Sequence, residues 1–113
     1  MFKLFFVSLI FSLLVFAKVD VIGIDVRTWP EQKLNPAPHS LAISRGDLEK
    51  ELKEKKVDKD QKMVIFCESG GRAGQALKIL SKLGYKNVEN IGSWREWNKD
   101  YAPLHEESHK KTD

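Results

Sequence analysis

The chain has 113 residues, with 19 Lys and Arg, 16 Asp and Glu and a formal net charge of +3, a length that predicts one domain with a modest hydrophobic core. Basic and acidic residues alternate along the chain, which excludes a basic stripe of the kind that binds nucleic acid. The single cysteine excludes an internal disulfide, although an exported chain is able to form one.

The amino-terminal stretch has the three-part pattern of a secretory signal peptide. Met1 to Lys3 is a short positive start, and residues 4–16 are almost wholly apolar. Small residues then predict cleavage after Ala17, which makes residues 1–17 the signal peptide and places the protein in the periplasm or outside the cell. A membrane anchor is the alternative. The apolar run is shorter than the ~20 residues that a spanning helix needs, so no stable anchor is expected after cleavage.

The segment that follows predicts one strand and one helix joined by a loop. Residues 19–26 are rich in Val and Ile and predict a first strand. Residues 29–40 contain three prolines and predict a polar connection. Residues 47–56 predict an amphipathic helix with Asp47 as its N-cap.

The second half of the chain continues this alternation. Residues 63–66 are a short apolar run that predicts a buried strand. Apolar residues at three- and four-residue steps predict a helix from Arg72 to Leu83, ended by Gly84. Residues 88–91 predict a final strand. A helix is then predicted from residue 94 to about residue 101, with aromatic residues that cover the sheet: Trp94, Trp97 and Tyr101. Residues 105–113 are predicted to be a polar, frayed tail.

The only cysteine lies in a glycine-containing loop between the strand at residues 63–66 and the helix that begins at Arg72. Amide groups in such a loop point towards one spot and favour negative charge there. A thiol held at that spot has a lowered pKa and a larger share of reactive thiolate. Gly70 and Gly71 permit the tight turn, and Arg72 adds a donor fork that suits oxyanions. The alternative is that Cys67 packs as a small apolar residue at the strand end.

The sequence from Cys67 to Ala73, Cys-Glu-Ser-Gly-Gly-Arg-Ala, resembles the active-site loop of the rhodanese family of sulfurtransferases. That loop runs Cys, two residues, Gly, one residue, Arg and a small residue. Within the family, the chain most resembles the small periplasmic, phage-shock-type thiosulfate sulfurtransferases, which pair a signal peptide with one compact domain. The segments that carry this resemblance are Gly74-Gln75-Ala76, Gly84-Tyr85 and Val88-Glu89-Asn90. The resemblance implies an α/β fold over residues 18–104, with a twisted, mainly parallel sheet flanked by helices on both faces.

The resemblance also implies the chemistry. In this family the cysteine takes a sulfane sulfur from a donor such as thiosulfate, becomes a persulfide, and passes the sulfur to a thiol or cyanide acceptor. Cys67 would carry the sulfur, without a metal or an organic cofactor, and the chain is expected to be a monomer. The loop residues that would cradle the persulfide and the donor are Glu68, Ser69, Gly70, Gly71 and Arg72.

Further residues match family motifs outside the loop. Asp25 and Arg27 match an Asp–Arg pair that closes the first strand and holds loops near the active site, and Glu31 falls where the family commonly has an acidic residue. A solvated ion pair is the alternative for Asp25 and Arg27. His39 and residues 42–44 stand where the family has a His, a Gly-Ala pair and a short second strand, but the glycine is absent here. We expect His39 to pack or cap rather than act as a base.

Loop length separates sulfur transfer from related chemistry. Cysteine phosphatases and arsenate reductases place five residues between Cys and Arg, whereas four lie between Cys67 and Arg72, a smaller ring that suits a single sulfur. A phosphatase or arsenate reductase is therefore a less favoured alternative. A sulfur carrier or interaction module without efficient turnover is another. Glu68 is expected to offset the charge of Arg72, which would weaken thiosulfate binding and leave a persulfide donor as an option.

Overall fold

The computed structural model describes residues 20–112, with side chains as far as Ser108. The signal peptide at residues 1–17 lies outside the described residues and stays a prediction. Neighbouring strands of the sheet are all parallel, in the spatial order β2-β1-β3-β4. The four strands of this sheet are β1 (Ile22–Asp25), β2 (Leu41–Ala42), β3 (Met63–Cys67) and β4 (Val88–Ser93).

Helices connect these strands, as parallel pairing requires. Within residues 20–112 they are α1 (Trp29–Leu34), α2 (Leu48–Glu54), α3 (Gly71–Lys82), α4 (Trp94–Asp100) and α5 (Ala102–Thr112). A 3₁₀ turn over Arg45–Asp47 leads into α2. None of the helices in this part of the chain is long and apolar enough to cross a bilayer.

The core consists of two apolar clusters, one on each face of the sheet. On the first face, α2 and α3 pack Leu48, Leu52 and Leu80 against alternate residues of β1 and β3. On the second face, α4 covers β3 with Trp97, which is fully buried. The Trp97 ring stacks between Phe66 and Tyr101, at centroid distances of 5.7 and 5.3 Å. The predicted α/β fold, with helices on both faces, is confirmed.

Helix α1 occupies the first part of residues 29–40, the segment that was predicted to be a proline-rich connection. The Glu31 carboxylate accepts hydrogen bonds from the N–H and the hydroxyl of Thr28, each at 2.8 Å, and this capping box fixes the start of the helix. Pro30 stands in the first turn, where a missing amide hydrogen costs nothing. The prediction of a loop here is therefore wrong, because a proline that usually breaks a helix is favourable at its beginning.

The carboxy-terminal segment also differs from the prediction. Residues 102–112 form α5 rather than a frayed tail, because Ala102 is buried and the His105 ring lies 5.3 Å from the Trp97 ring. The His105 ring also stacks on His39 at 6.3 Å. His39 thus has a packing contact of the kind that we expected for it.

Candidate active site

Cys67 is the last residue of β3, and α3 begins four positions later at Gly71. Along the chain, β1 is followed by β2 on one side of the sheet, whereas β3 lies on the other side of β1. The connections after β1 and β3 therefore run in opposite directions, and such a point in an open parallel sheet leaves a crevice in which ligands bind. Cys67 lies at that crevice.

The loop after Cys67 turns at Gly70. Its φ of 106° lies in the left-handed region, and a Cβ at this position would approach the Cα of Gly92 to 3.3 Å. In this conformation the Gly70 N–H donates to the Sγ of Cys67 at 3.0 Å. Gly71, by contrast, has open space around it. Of the two glycines, only Gly70 is required by the backbone.

The Cys67 thiol is subject to two opposed influences. Burial raises its pKa, while the backbone amides of Ala73, Gly70, Ser69 and Arg72 lower it, and the net result is a pKa below the ordinary value. The residue is 1 % exposed, which agrees with the alternative that Cys67 packs as a small apolar residue. Packing alone does not account for amides that converge on one sulfur. The surroundings therefore favour a reactive thiol.

Asn90, on β4, braces the loop from the side. Its Nδ2 donates to the carbonyl oxygen of Gly70 at 3.0 Å, and its Oδ1 accepts from the N–H of Gly92 at 2.9 Å. The side chain thus links the turn that holds Cys67 to a second left-handed glycine, since Gly92 has a φ of 87°. The sequence contains no signal that Asn90 belongs to the site, because 20 positions separate it from Gly70.

Arg72 lies between a carboxylate and the thiol. It forms a bidentate ion pair with Glu31, in which its two terminal nitrogens donate to the two carboxylate oxygens at 2.7 and 2.8 Å. Hydrogen bonds from Arg72 and then from Thr28 lower the pKa of Glu31 to about 2. The pKa of Arg72 is raised, mainly by Glu31 and further by Cys67. The sequence pattern marks Glu31 as an acidic residue but does not show that its partner is Arg72.

Glu68 does not pair with Arg72, so that expectation is wrong. Its carboxylate accepts hydrogen bonds from the indole of Trp94 and from Arg95, both at 2.9 Å, and these two donors lower the pKa of Glu68. The Arg95 guanidinium also lies 4.5 Å above the Trp94 ring. Glu68 faces the start of α4, whereas Arg72 faces α1. The opposite directions of the two side chains explain the difference.

Asp25 and Arg27 form a buried ion pair rather than a solvated one, since each is 2 % exposed. Arg27 donates to the Asp25 carboxylate at 3.0 and 2.8 Å. It also donates to the carbonyl oxygen of Asn35 at 2.7 Å, just past the end of α1. The pair therefore holds α1, and with it Glu31, at the edge of the sheet. This arrangement supports the structural role that the resemblance implies.

Comparison with known proteins identifies relatives of the chain. A family model described as a rhodanese-like domain matches residues 15–100. The thiosulfate sulfurtransferase PspE of Escherichia coli is 33% identical, over 79% of this chain and 84% of its own length. The human thiosulfate:glutathione sulfurtransferase is also 33% identical, over 65% of this chain and 75% of its own length.

A solved structure of the same family also matches the fold of this chain. A structure described as rhodanese with anions, from Escherichia coli, has a TM-score of 0.59 and 30% sequence identity, and the match covers 67% of this chain and 89% of that one. Together the matches support a sulfurtransferase activity in general terms. The family model spans well over half of the sequence, and the chain therefore belongs to the rhodanese-like family.

Proposed function

We propose that the protein is a thiosulfate sulfurtransferase that carries sulfur as a persulfide on Cys67. The observation that carries this proposal is the thiol at the end of β3, whose pKa is lowered by the amides of the following loop. Thiosulfate is proposed as the donor because it appears in the names of PspE and of the human relative. The human relative's name also supports a thiol acceptor.

In the first half-reaction the Cys67 thiolate attacks the outer sulfur of thiosulfate. A new bond forms between Sγ and that sulfur, the S–S bond of thiosulfate breaks, and its electron pair leaves on sulfite. The transferred sulfur remains as a covalent persulfide and keeps one negative charge. The amides that stabilise the thiolate are positioned to stabilise this charge as well.

In the second half-reaction a thiol acceptor, as its thiolate, attacks the terminal sulfur. The bond between Sγ and that sulfur breaks, and its electron pair returns to Cys67 as the thiolate. The proton lost by the acceptor thiol ends on the product, which is the acceptor's persulfide. No oxidant or reductant enters the cycle.

The charge around Arg72 bears on the choice of donor. Glu31 takes hydrogen bonds from both terminal nitrogens of Arg72, so part of the positive charge beside the thiol is neutralised. Thiosulfate carries two negative charges and is therefore expected to bind weakly. Glu31, rather than Glu68, is the carboxylate that offsets the charge of Arg72, and a persulfide donor with less charge stays an alternative.

The test is the intact mass of the reduced protein after exposure to thiosulfate, beside a Cys67→Ser variant. We expect the wild type alone to gain one sulfur atom and to lose it when cyanide is added. A gain in both proteins would place the sulfur elsewhere, and no gain in either would remove thiosulfate as the donor.

A sulfur carrier with little turnover is a second candidate, and the near-complete burial of Cys67 favours it. A carrier would take up one sulfur in the mass measurement but would show no sustained formation of thiocyanate from thiosulfate and cyanide. Sustained turnover would reject the carrier. A phosphate-ester assay on the same preparation tests the phosphatase alternative, which only measurable hydrolysis would support.

A further inference from the structure

An open cleft of about 480 Å³ lies at the carboxyl edge of the sheet, beside the Cys67 loop. Its walls come from the segment after β1, the 3₁₀ turn after β2 and one side of α3. A cleft of this size is in the range that encloses a whole small organic molecule. Thiosulfate, held by the loop amides, would leave most of it empty.

The cleft reaches the strand residue that lies beside Cys67. Val26 lines the cleft, and its N–H donates to the carbonyl oxygen of Phe66 at 3.1 Å, so Val26 lies beside Cys67 on the adjacent strand. Both residues belong to the apolar cluster on the same face of the sheet, and neighbouring strands are about 4.8 Å apart. Arg72 lines the cleft as well as lying beside the thiol. The cleft therefore borders Cys67 through two neighbours of that residue, Val26 and Arg72.

The cleft has two polar side chains that are not engaged elsewhere. Arg27 and Arg72 also line it, but each forms an ion pair, with Asp25 and with Glu31. Within the part of the chain that the structure describes, the half-buried Arg45 makes no ion pair. The amide of Gln75, on the α3 side, makes no side-chain hydrogen bond among these residues either. The uncompensated charge of the cleft is thus positive.

We propose that Arg45 and Gln75 form a subsite for the sulfur acceptor, and that this acceptor is a small thiol bearing a carboxylate. This inference rests on the proposed function, whose second half-reaction needs an acceptor thiolate at the terminal sulfur. The planar donor fork of Arg45 matches a carboxylate. The side chains of Val26 and Ile79 offer an apolar surface to the methylene groups between the carboxylate and the thiol. Arg45 would act as a specificity residue and takes no part in the chemical step.

The test compares two acceptors, glutathione and glutathione diethyl ester, with thiosulfate as donor, because the ester keeps the thiol and lacks both carboxylate charges. We expect Arg45→Gln to raise the KM for glutathione by about threefold to tenfold and to change the KM for the ester far less. Arg45→Lys, which keeps the charge, should recover most of the loss. The matched control is Lys50→Gln, which removes one positive charge from an exposed position on α2 outside the cleft and should alter neither KM.

A binding titration separates this inference from the proposed function. S-methylglutathione keeps both carboxylates but cannot accept sulfur, and we expect it to bind Arg45→Gln more weakly than wild type, as followed by calorimetry. An equal change for the acid and the ester, or equal effects of Arg45→Gln and Lys50→Gln, would overturn the subsite while leaving sulfur transfer intact. If Cys67 never gains sulfur, the proposed function fails, and the Arg45 dependence of the titration still decides whether the cleft binds the carboxylates.

Discussion

The reactivity of the Cys67 thiol depends on a side chain that is distant in sequence. The Gly70 N–H reaches the Sγ of Cys67 at 3.0 Å only while Gly70 keeps its left-handed backbone conformation. The Asn90 amide holds that conformation by binding the Gly70 carbonyl oxygen, and it is itself held by Gly92. Asn90 is therefore a positioning residue, since it acts on the thiol through the backbone rather than by contact.

We predict that Asn90→Ala raises the pKa of the Cys67 thiol, because the Gly70 amide is no longer held against the sulfur. Below its pKa the thiol is protonated and unreactive, so the variant should need a higher pH than wild type for the same reaction with iodoacetamide. At neutral pH the alkylation rate should fall about tenfold, the effect of one hydrogen bond to a charged group.

The control for this prediction is Asn87→Ala, at an exposed position outside the loop. Its pH profile should match that of wild type. Superimposable profiles for Asn90→Ala and wild type would show that the hydrogen bonds of Asn90 do not set the pKa of the Cys67 thiol.

At the scale of the elements, α4 packs closely on β1 because residue 23 has no side chain. A Cβ on Gly23 would lie within 3.0 Å of three carbons of the Trp97 ring. The ring has no room to move, since it is stacked between Phe66 and Tyr101 and its Nε1 donates to the carbonyl oxygen of Pro38 at 2.8 Å. A glycine in a strand, ordinarily a weak point, is here what allows the helix to approach.

We predict that Gly23→Ala lowers the free energy of unfolding by about 1–3 kcal/mol, the usual cost of forcing an extra methyl group into a packed core. Urea unfolding followed by Trp fluorescence measures the change. Gly46→Ala is the matched control, because nothing lies within 4 Å of a Cβ at that position; its effect should be below about 0.5 kcal/mol. Equal losses in the two variants would rule out the Trp97 contact as the cause.

At the scale of the whole molecule, two ion pairs join the ends of the sheet to the helices around the site. The pair of Asp25 and Arg27 is buried and holds α1 to the end of β1. The pair of Glu31 and Arg72 joins α1 to α3, with about a third of each side chain exposed. Together they keep the segment after β1 next to the Cys67 loop.

We predict that the pair of Glu31 and Arg72 makes the stability of the protein depend on pH in acid. The pKa of Glu31 falls from an ordinary 4.5 to about 2 in the folded state, so the stabilisation is complete above the ordinary value and is lost as the pH falls through about 2. Glu31→Gln should therefore unfold more easily at neutral pH, by no more than about 1 kcal/mol because the pair is partly exposed.

The measurement is urea unfolding of the Glu31→Gln variant and wild type, at neutral pH and at pH values down to about 2. The difference between the two should shrink to nothing at the acid end. Glu49→Gln, at an exposed position on α2, should show no such convergence. A difference that is the same at every pH would mean that Glu31 contributes by packing rather than by charge.

Much of the fold and the centre of the site could be predicted from the sequence, because the signals are local. The apolar runs and three- and four-residue periodicity place β3 and α3 close to their observed bounds, and Cys67, Gly70 and Arg72 lie within six consecutive positions. Helix α1 could not be predicted in this way, because the prolines in and after it are typical of a loop and outweigh the capping-box pattern at its start. The first turns of α5 form against Trp97, a contact that no local pattern records.

The sequence by itself determined the alternation of strands and helices from β3 to α4, the candidate nucleophile and the charged residue that follows it in the loop. Only the tertiary structure decided the partners: Glu31 rather than Glu68 for Arg72, Arg95 for Glu68, and Asn90 for the turn at Gly70. The reason is physical. These contacts join residues 20 to 41 positions apart, and which of them meet depends on how parallel strands bring their following loops to one edge and on the direction in which each side chain leaves the backbone.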